Sequence, residues 1–202
     1  IIFILPLFEV TALNLWLSVP VAQYLVLISL ISRGIQEINE NITSIEMWKS
    51  NRTNWKRLKK AAEQLTNTLY GPTIVIFILN SMLELIFIIY IEIKLLNTKA
   101  SQTNIVIYGL VIPIRFAILV KIFRKPHFCK LEVKNTQRTI NDLQINTISN
   151  LKQVKYTFLY MLHTGFQLTP CWIFELSYRY LLTVVAAITA FLSFQIQMKL
   201  PI

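Results

Sequence analysis

Four long apolar stretches, each close to the length a helix needs to cross a bilayer, dominate this sequence. They run over about 10–32, 73–95, 104–123 and 179–198, and a hydrocarbon core asks for about 20 apolar residues per helix. The stretches are apolar all round rather than strictly alternating, which excludes barrel strands. A soluble domain is about 25% charged. This chain is 15% charged with a mean hydropathy of +0.53, more apolar surface than one core in water could cover. The same surplus excludes disorder. Two cysteines cannot make a disulfide scaffold. The expected fold is an all-α membrane protein with four transmembrane helices and long cytoplasmic helical extensions.

Charge sets the orientation. Arg33, Lys49, Arg52, Lys56, Arg57, Lys59 and Lys60 lie between the first two spans. Lys121, Arg124, Lys125, Lys130, Lys134, Arg138, Lys152 and Lys155 lie between the last two. Fifteen of the 20 basic residues thus fall on one side, which the positive-inside rule makes cytoplasmic. The expected organisation is a span over 1–34, a cytoplasmic amphipathic helix over 35–72, and a span over 73–96. An outer loop over 97–103, a span over 104–123 and a cytoplasmic helical segment over 124–178 come next. The last span covers 179–198, and 199–202 emerge outside, at the plasma membrane. The apolar start at Ile1 lacks a basic leader and contains Glu9, so it belongs to the first span. An outer residue 1, with the first methionine at Met47, leads us to expect a piece lacking three earlier spans.

The formal charge of +10 then reflects orientation and lipid headgroups, not nucleic acid, which would want a basic face on a soluble module. Asn41-Ile42-Thr43 and Asn51-Arg52-Thr53 match glycosylation acceptors but fall on the cytoplasmic side, where they go unused.

Two cytoplasmic segments carry helical periodicity. Trp48, Trp55, Leu58, Ala62, Leu65 and Leu69 recur at seven, three and four, a narrow seam of about five turns. Gly71-Pro72 punctuates its junction with the second span. Ile140, Leu143, Thr147, Leu151, Val154, Phe158 and Met161 repeat the spacing. Such a helix either lies on the membrane surface or joins a bundle at a subunit contact. For the latter we single out Trp48, Trp55, Leu58 and Leu65.

Charges inside spans cost about 2.5–3.5 kcal/mol each near the bilayer centre. Glu84 and Arg115 fall at comparable depth, so a pair is expected, either as a packing device or as a ligand contact. Glu9, Asn14 and Trp16 lie in the outer half of the first span, where Asn14 and Trp16 are further ligand-binding candidates and Trp16 is equally an interfacial anchor. In the last span Leu182, Ala186, Thr189, Ala190, Ser193 and Gln197 share one small, polar face. Such a face either packs against another helix or lines water around an axis. His127, Cys129, His163 and Cys171 lack zinc spacing, and neither histidine belongs to a triad. No catalysis, metal or cofactor is expected.

The last forty residues resemble the insect gustatory receptors, within the seven-span superfamily that also holds the odorant receptors. That family ends on Thr-Tyr, five hydrophobic residues and Gln-Phe. Here Ala190-Phe191-Leu192-Ser193-Phe194-Gln195-Ile196-Gln197-Met198 stands in that register, with Gln197 identical. Cys171-Trp172-Ile173-Phe174-Glu175-Leu176 resembles the Cys-Gly-hydrophobic-Phe run before the last span, with Trp172 for Gly. Ser32 to Glu40 resembles the run after the fourth span. The resemblance implies spans four to seven of an inverted-topology channel subunit, a tastant-gated, non-selective cation channel. It implies homo- or hetero-tetramers, with the cytoplasmic helices as shared anchor and Gln197, Ser193, Ala190 and Ala186 lining the pore. Leu192, where sugar-sensing members carry Glu, argues against that branch. The rivals are a shortened odorant-type receptor, a non-functional fragment, a transporter, and a G-protein-coupled receptor. The last would place the C-terminus inside.

Overall fold

The computed structural model describes residues 4–97, 102–142, 148–163 and 165–199, with side chains for 16–91, 111–142 and most of 152–197. These residues form six α-helices and no strands: α1 Ile4–Asn41, α2 Ile45–Gln64, α3 Gly71–Asn97, α4 Gln102–Asn141, α5 Ile148–His163 and α6 Tyr178–Lys199. Three stretches among them are long and apolar enough to cross a bilayer: Trp16–Asn41, Gly71–Ile91 and Tyr178–Gln195. The expected span over 104–123 begins outside the described side chains.

Helices α1 and α4 run unbroken across 34/35 and 123/124. With 38 and 40 residues, α1 and α4 reach about 57 and 60 Å at 1.5 Å per residue, nearly twice a hydrocarbon core. Each therefore carries an apolar half and a polar half without a break. Pro20, Pro113 and Pro126 sit inside these helices.

The two pack along one another over much of their length. On α1 the buried positions Leu17, Val21, Tyr24, Ile28, Ile35 and Ile42 keep heptad spacing. On α4 Leu119, Ile122, Cys129, Val133, Thr136 and Ile140 do the same. Two heptad stripes thus meet along packed helices, and the buried seam continues beyond the apolar halves. Burial there pushes the Cys129 thiol up to about 12.

Helix α2 starts where Ser44 Oγ accepts the Met47 N–H at 3.3 Å, an N-cap with Glu46 in the favourable first turn. It then lies back along α1. Gly34 permits this approach, since a Cβ there would stand 3.2 Å from Leu58 Cδ1. Its apolar seam buries Trp48 and Trp55 inside this chain at 3% and 1% exposure. The two rings meet edge-on at 5.8 Å, and Trp55 Nε1 donates to Thr136 Oγ1 on α4 at 3.1 Å. Thr136 in turn donates to Asn39 Oδ1 at 2.6 Å, so one polar network ties α1, α2 and α4 together. Lys59 lies one turn after Trp55, and burial lowers its pKa.

The seam fails at Leu69, which is 68% exposed. A π-helical turn over Leu65–Leu69, closed by Tyr70 N–H to Leu65 O at 2.9 Å, causes the failure. Thr66, four residues after Ala62, stays on the buried stripe, and the wide turn brings Asn67 inward beside it. The second expected seam, Ile140 to Met161, is divided between two helices: α4 ends at Asn141 and α5 begins at Ile148. Leu143, Thr147, Leu151 and Val154 lie outside the described side chains. Ile140 and Met161 are buried, each on its own helix.

Candidate functional site

Helix α6 has two faces of opposite character. Leu181, Val184 and Ile188 are buried, and the helix packs on α3 and α4. Leu182, Ala186, Thr189, Ala190, Ser193 and Gln197 are all exposed on the other side. Thr189 and Ser193 return their hydroxyls to carbonyls one turn back, Val185 O and Thr189 O, both at 2.9 Å. Small side chains with hydroxyls folded onto the backbone leave a smooth, mildly polar surface that nothing among the described residues covers. The face singled out from spacing is thus not the one that docks α6 to its own chain.

On the flank of α6 a crevice of about 630 Å³ opens against α3. Asn80, Leu83, Glu84, Ile86, Phe87 and Tyr90 line it from α3, and Phe191, Leu192 and Gln195 from α6. Sequence reasoning found only Glu84 of these. The signal was present, because Asn80, Leu83, Glu84 and Phe87 keep three- and four-residue spacing on one helical face. On α6, Gln195 points into the crevice while Gln197, about 200° further round, stays on the exposed face.

The expected ion pair forms. Arg115 Nε on α4 stands 3.3 Å from Glu84 Oε2, with the side chains 21% and 11% exposed. Asn80 Nδ2 donates to the other carboxylate oxygen at 3.4 Å. The pair joins α3 to α4 beside the crevice, and each charge stabilises the other away from bulk water. Trp16 is 78% exposed and does not line the crevice. The Asn14 side chain lies outside those described.

Of the α2 candidates, Trp48 and Trp55 find their partners within the chain, and Leu58 and Leu65 are half-buried. Among the soft ligand candidates, His127 meets Tyr178 edge-on at 4.8 Å, and Cys129 lies in the α1–α4 seam.

The foot of α6 is irregular. A 3₁₀ turn over Pro170–Trp172 places Cys171 at φ 51° and Trp172 at φ 61°. Trp172 is the position where the resemblance puts glycine, and its left-handed backbone is the physical reason for glycine there. The tryptophan ring itself is 74% exposed.

Apolar-faced helices, three of them able to cross a bilayer, and an ion pair held between such helices define a multi-span α-helical membrane protein. The chain belongs to the 7tm Chemosensory receptor family, whose profile matches residues 1–201. It is therefore a chemoreceptor of the multi-pass membrane class. A comparison with curated proteins returns no match.

Proposed function

We propose that the chain is a gustatory-type receptor subunit whose last helix lines a tastant-gated, non-selective cation pore. One observation carries the reading: α6 turns Ala186, Ala190, Ser193 and Gln197 outward, away from its own chain. Several copies around an axis would bring these faces together into a narrow channel of small side chains with an amide ring at Gln197. Gustatory rather than odorant type rests on Gln197 in the register of the family's closing motif. The subunit acts in a homo- or hetero-tetramer in the plasma membrane, in contact with lipid, with its C-terminus outside and its basic segments inside. It uses no catalysis, cofactor or nucleic acid.

In this reading the crevice lined by Glu84, Phe87 and Phe191 supplies an apolar wall with few polar groups, the usual make-up of a small-molecule site. The paired Glu84 and Arg115 remain ligand-contact candidates beside it.

The test is electrical. With the receptor expressed at a cell surface and tastant-evoked current recorded, Gln197→Ala is expected to change unitary conductance or the permeability ratio of sodium to calcium. Unchanged conductance and selectivity would overturn pore lining. A tag after Ile202 is expected to bind antibody on intact cells. Binding only after permeabilisation would overturn the orientation.

A further inference from the structure

The π turn between α2 and α3 keeps two polar side chains on its inner side and leaves Leu69 outside. Thr66 is fully buried and Asn67 is 4% exposed, and buried polar groups must find partners. Thr66 Oγ1 meets the Tyr24 hydroxyl of α1 at 3.2 Å. Asn67 reaches the other way, to the backbone of the segment before α6. Its Oδ1 accepts the Thr169 N–H at 2.7 Å and its Nδ2 donates to Gln167 O at 3.4 Å. One amide thus grips a strand of chain a hundred residues away through two backbone groups.

That segment is tied to the foot of α6. Leu176 N–H bonds Leu168 O at 3.0 Å, closing 168–176 into a loop, and both leucines are 2% exposed. Helix α6 starts two residues later. The loop also rests on the first turn of α3, where Gly71 offers no side chain: a Cβ there would lie 2.9 Å from Cys171 N.

We infer that Asn67 is the positioning residue that latches the foot of α6 to the α2–α3 junction, so that displacement of α1 or α3 is passed to the pore helix. This rests on the proposed channel function, and it adds the residue through which gating is set. Asn67 touches neither pore nor ligand. Its removal therefore shifts the balance between closed and open states and leaves the conduction path as it was.

Two variants of the full receptor test it, Asn67→Ala, which opens the grip, and Gly71→Ala, which pushes the loop off α3 from the other side. Each is expected to shift the half-maximal tastant concentration or the resting open probability about tenfold, the effect of about one net hydrogen bond. Reversal potential and unitary conductance stay at wild-type values. Wild-type gating in both variants overturns the proposal, as does a change in selectivity without a change in gating. If Asn67→Ala fails to reach the surface, Gly71→Ala alone decides. A measurement independent of current separates this from failure of the channel reading. In the purified full chain, Asn67→Ala is expected to raise deuterium uptake over 165–177 and not along the α1–α4 seam. Unchanged uptake over 165–177 shows that no latch exists, whether or not the protein conducts.

Discussion

Replacing Trp55 distinguishes a side chain that holds its own subunit together from one that holds two subunits together. The ring is 1% exposed, lies edge-on to Trp48, and donates from Nε1 to Thr136 at 3.1 Å. Truncating a buried tryptophan to alanine costs about 3–5 kcal/mol through lost transfer energy and the cavity left behind. The aromatic contact accounts for about 0.5–1.5 kcal/mol of that. Trp55→Phe is milder. The single Thr136 hydroxyl proton still has Asn39 Oδ1 at 2.6 Å and Glu132 O at 3.1 Å as acceptors, so no buried hydroxyl is orphaned. The loss is then one hydrogen bond and a partial void, about 1–2 kcal/mol. For a chain of this size each kcal/mol moves the midpoint by about 2–4 °C. Trp55→Ala is therefore expected to lower the melting temperature by about 10 °C, and Trp55→Phe by about 3–6 °C. The assay is thermal denaturation of the detergent-purified protein with size-exclusion recovery, and oligomer mass is measured below the transition. An unchanged melting temperature with loss of oligomers would refute the reasoning, because it would place the ring between subunits and not inside one.

Two further perturbations address the membrane half and the foot of α6. Glu84→Gln leaves Arg115 without its counter-charge and is expected to lower stability by about 2–3 kcal/mol, while Glu84→Leu with Arg115→Met restores most of it. A double variant no more stable than Glu84→Gln, by thermal denaturation, would show that the pair does more than neutralise itself. Trp172→Gly removes a left-handed penalty of about 1–2 kcal/mol, offset in part by the entropy glycine gains on unfolding. A net gain of about 0.5–1 kcal/mol is expected, and a falling melting temperature would show that the exposed ring is itself a membrane anchor.

Much of the architecture was legible because a bilayer turns local composition into structure. Apolar runs of about 20 residues have no alternative to helix in lipid, and the runs over 73–96 and 179–198 are helical in α3 and α6. The Glu84–Arg115 pair was legible for a related reason: in apolar surroundings a charge needs a partner, and depth along the spans leaves few choices. The exposed face of α6 came from a period of 3.6 alone. What spacing could not supply was the identity of the neighbour. The seam of Trp48 and Trp55 reads the same whether its partner is α4 of this chain or another subunit.

Local pattern therefore determined that this chain is helical, that it enters membranes, and which residues share a side of each helix. Tertiary structure decided what each side meets. It placed α4 against α1 along a seam that outruns the apolar halves, and it brought Phe191 and Gln195 to the crevice opposite Glu84. It also decided the register past residue 65, where a π turn sets Asn67 inside and Leu69 outside, an exchange of the sides that spacing assigned. Periodicity counts residues along one helix, whereas that exchange is stabilised by backbone groups at Gln167 and Thr169, a hundred residues further on.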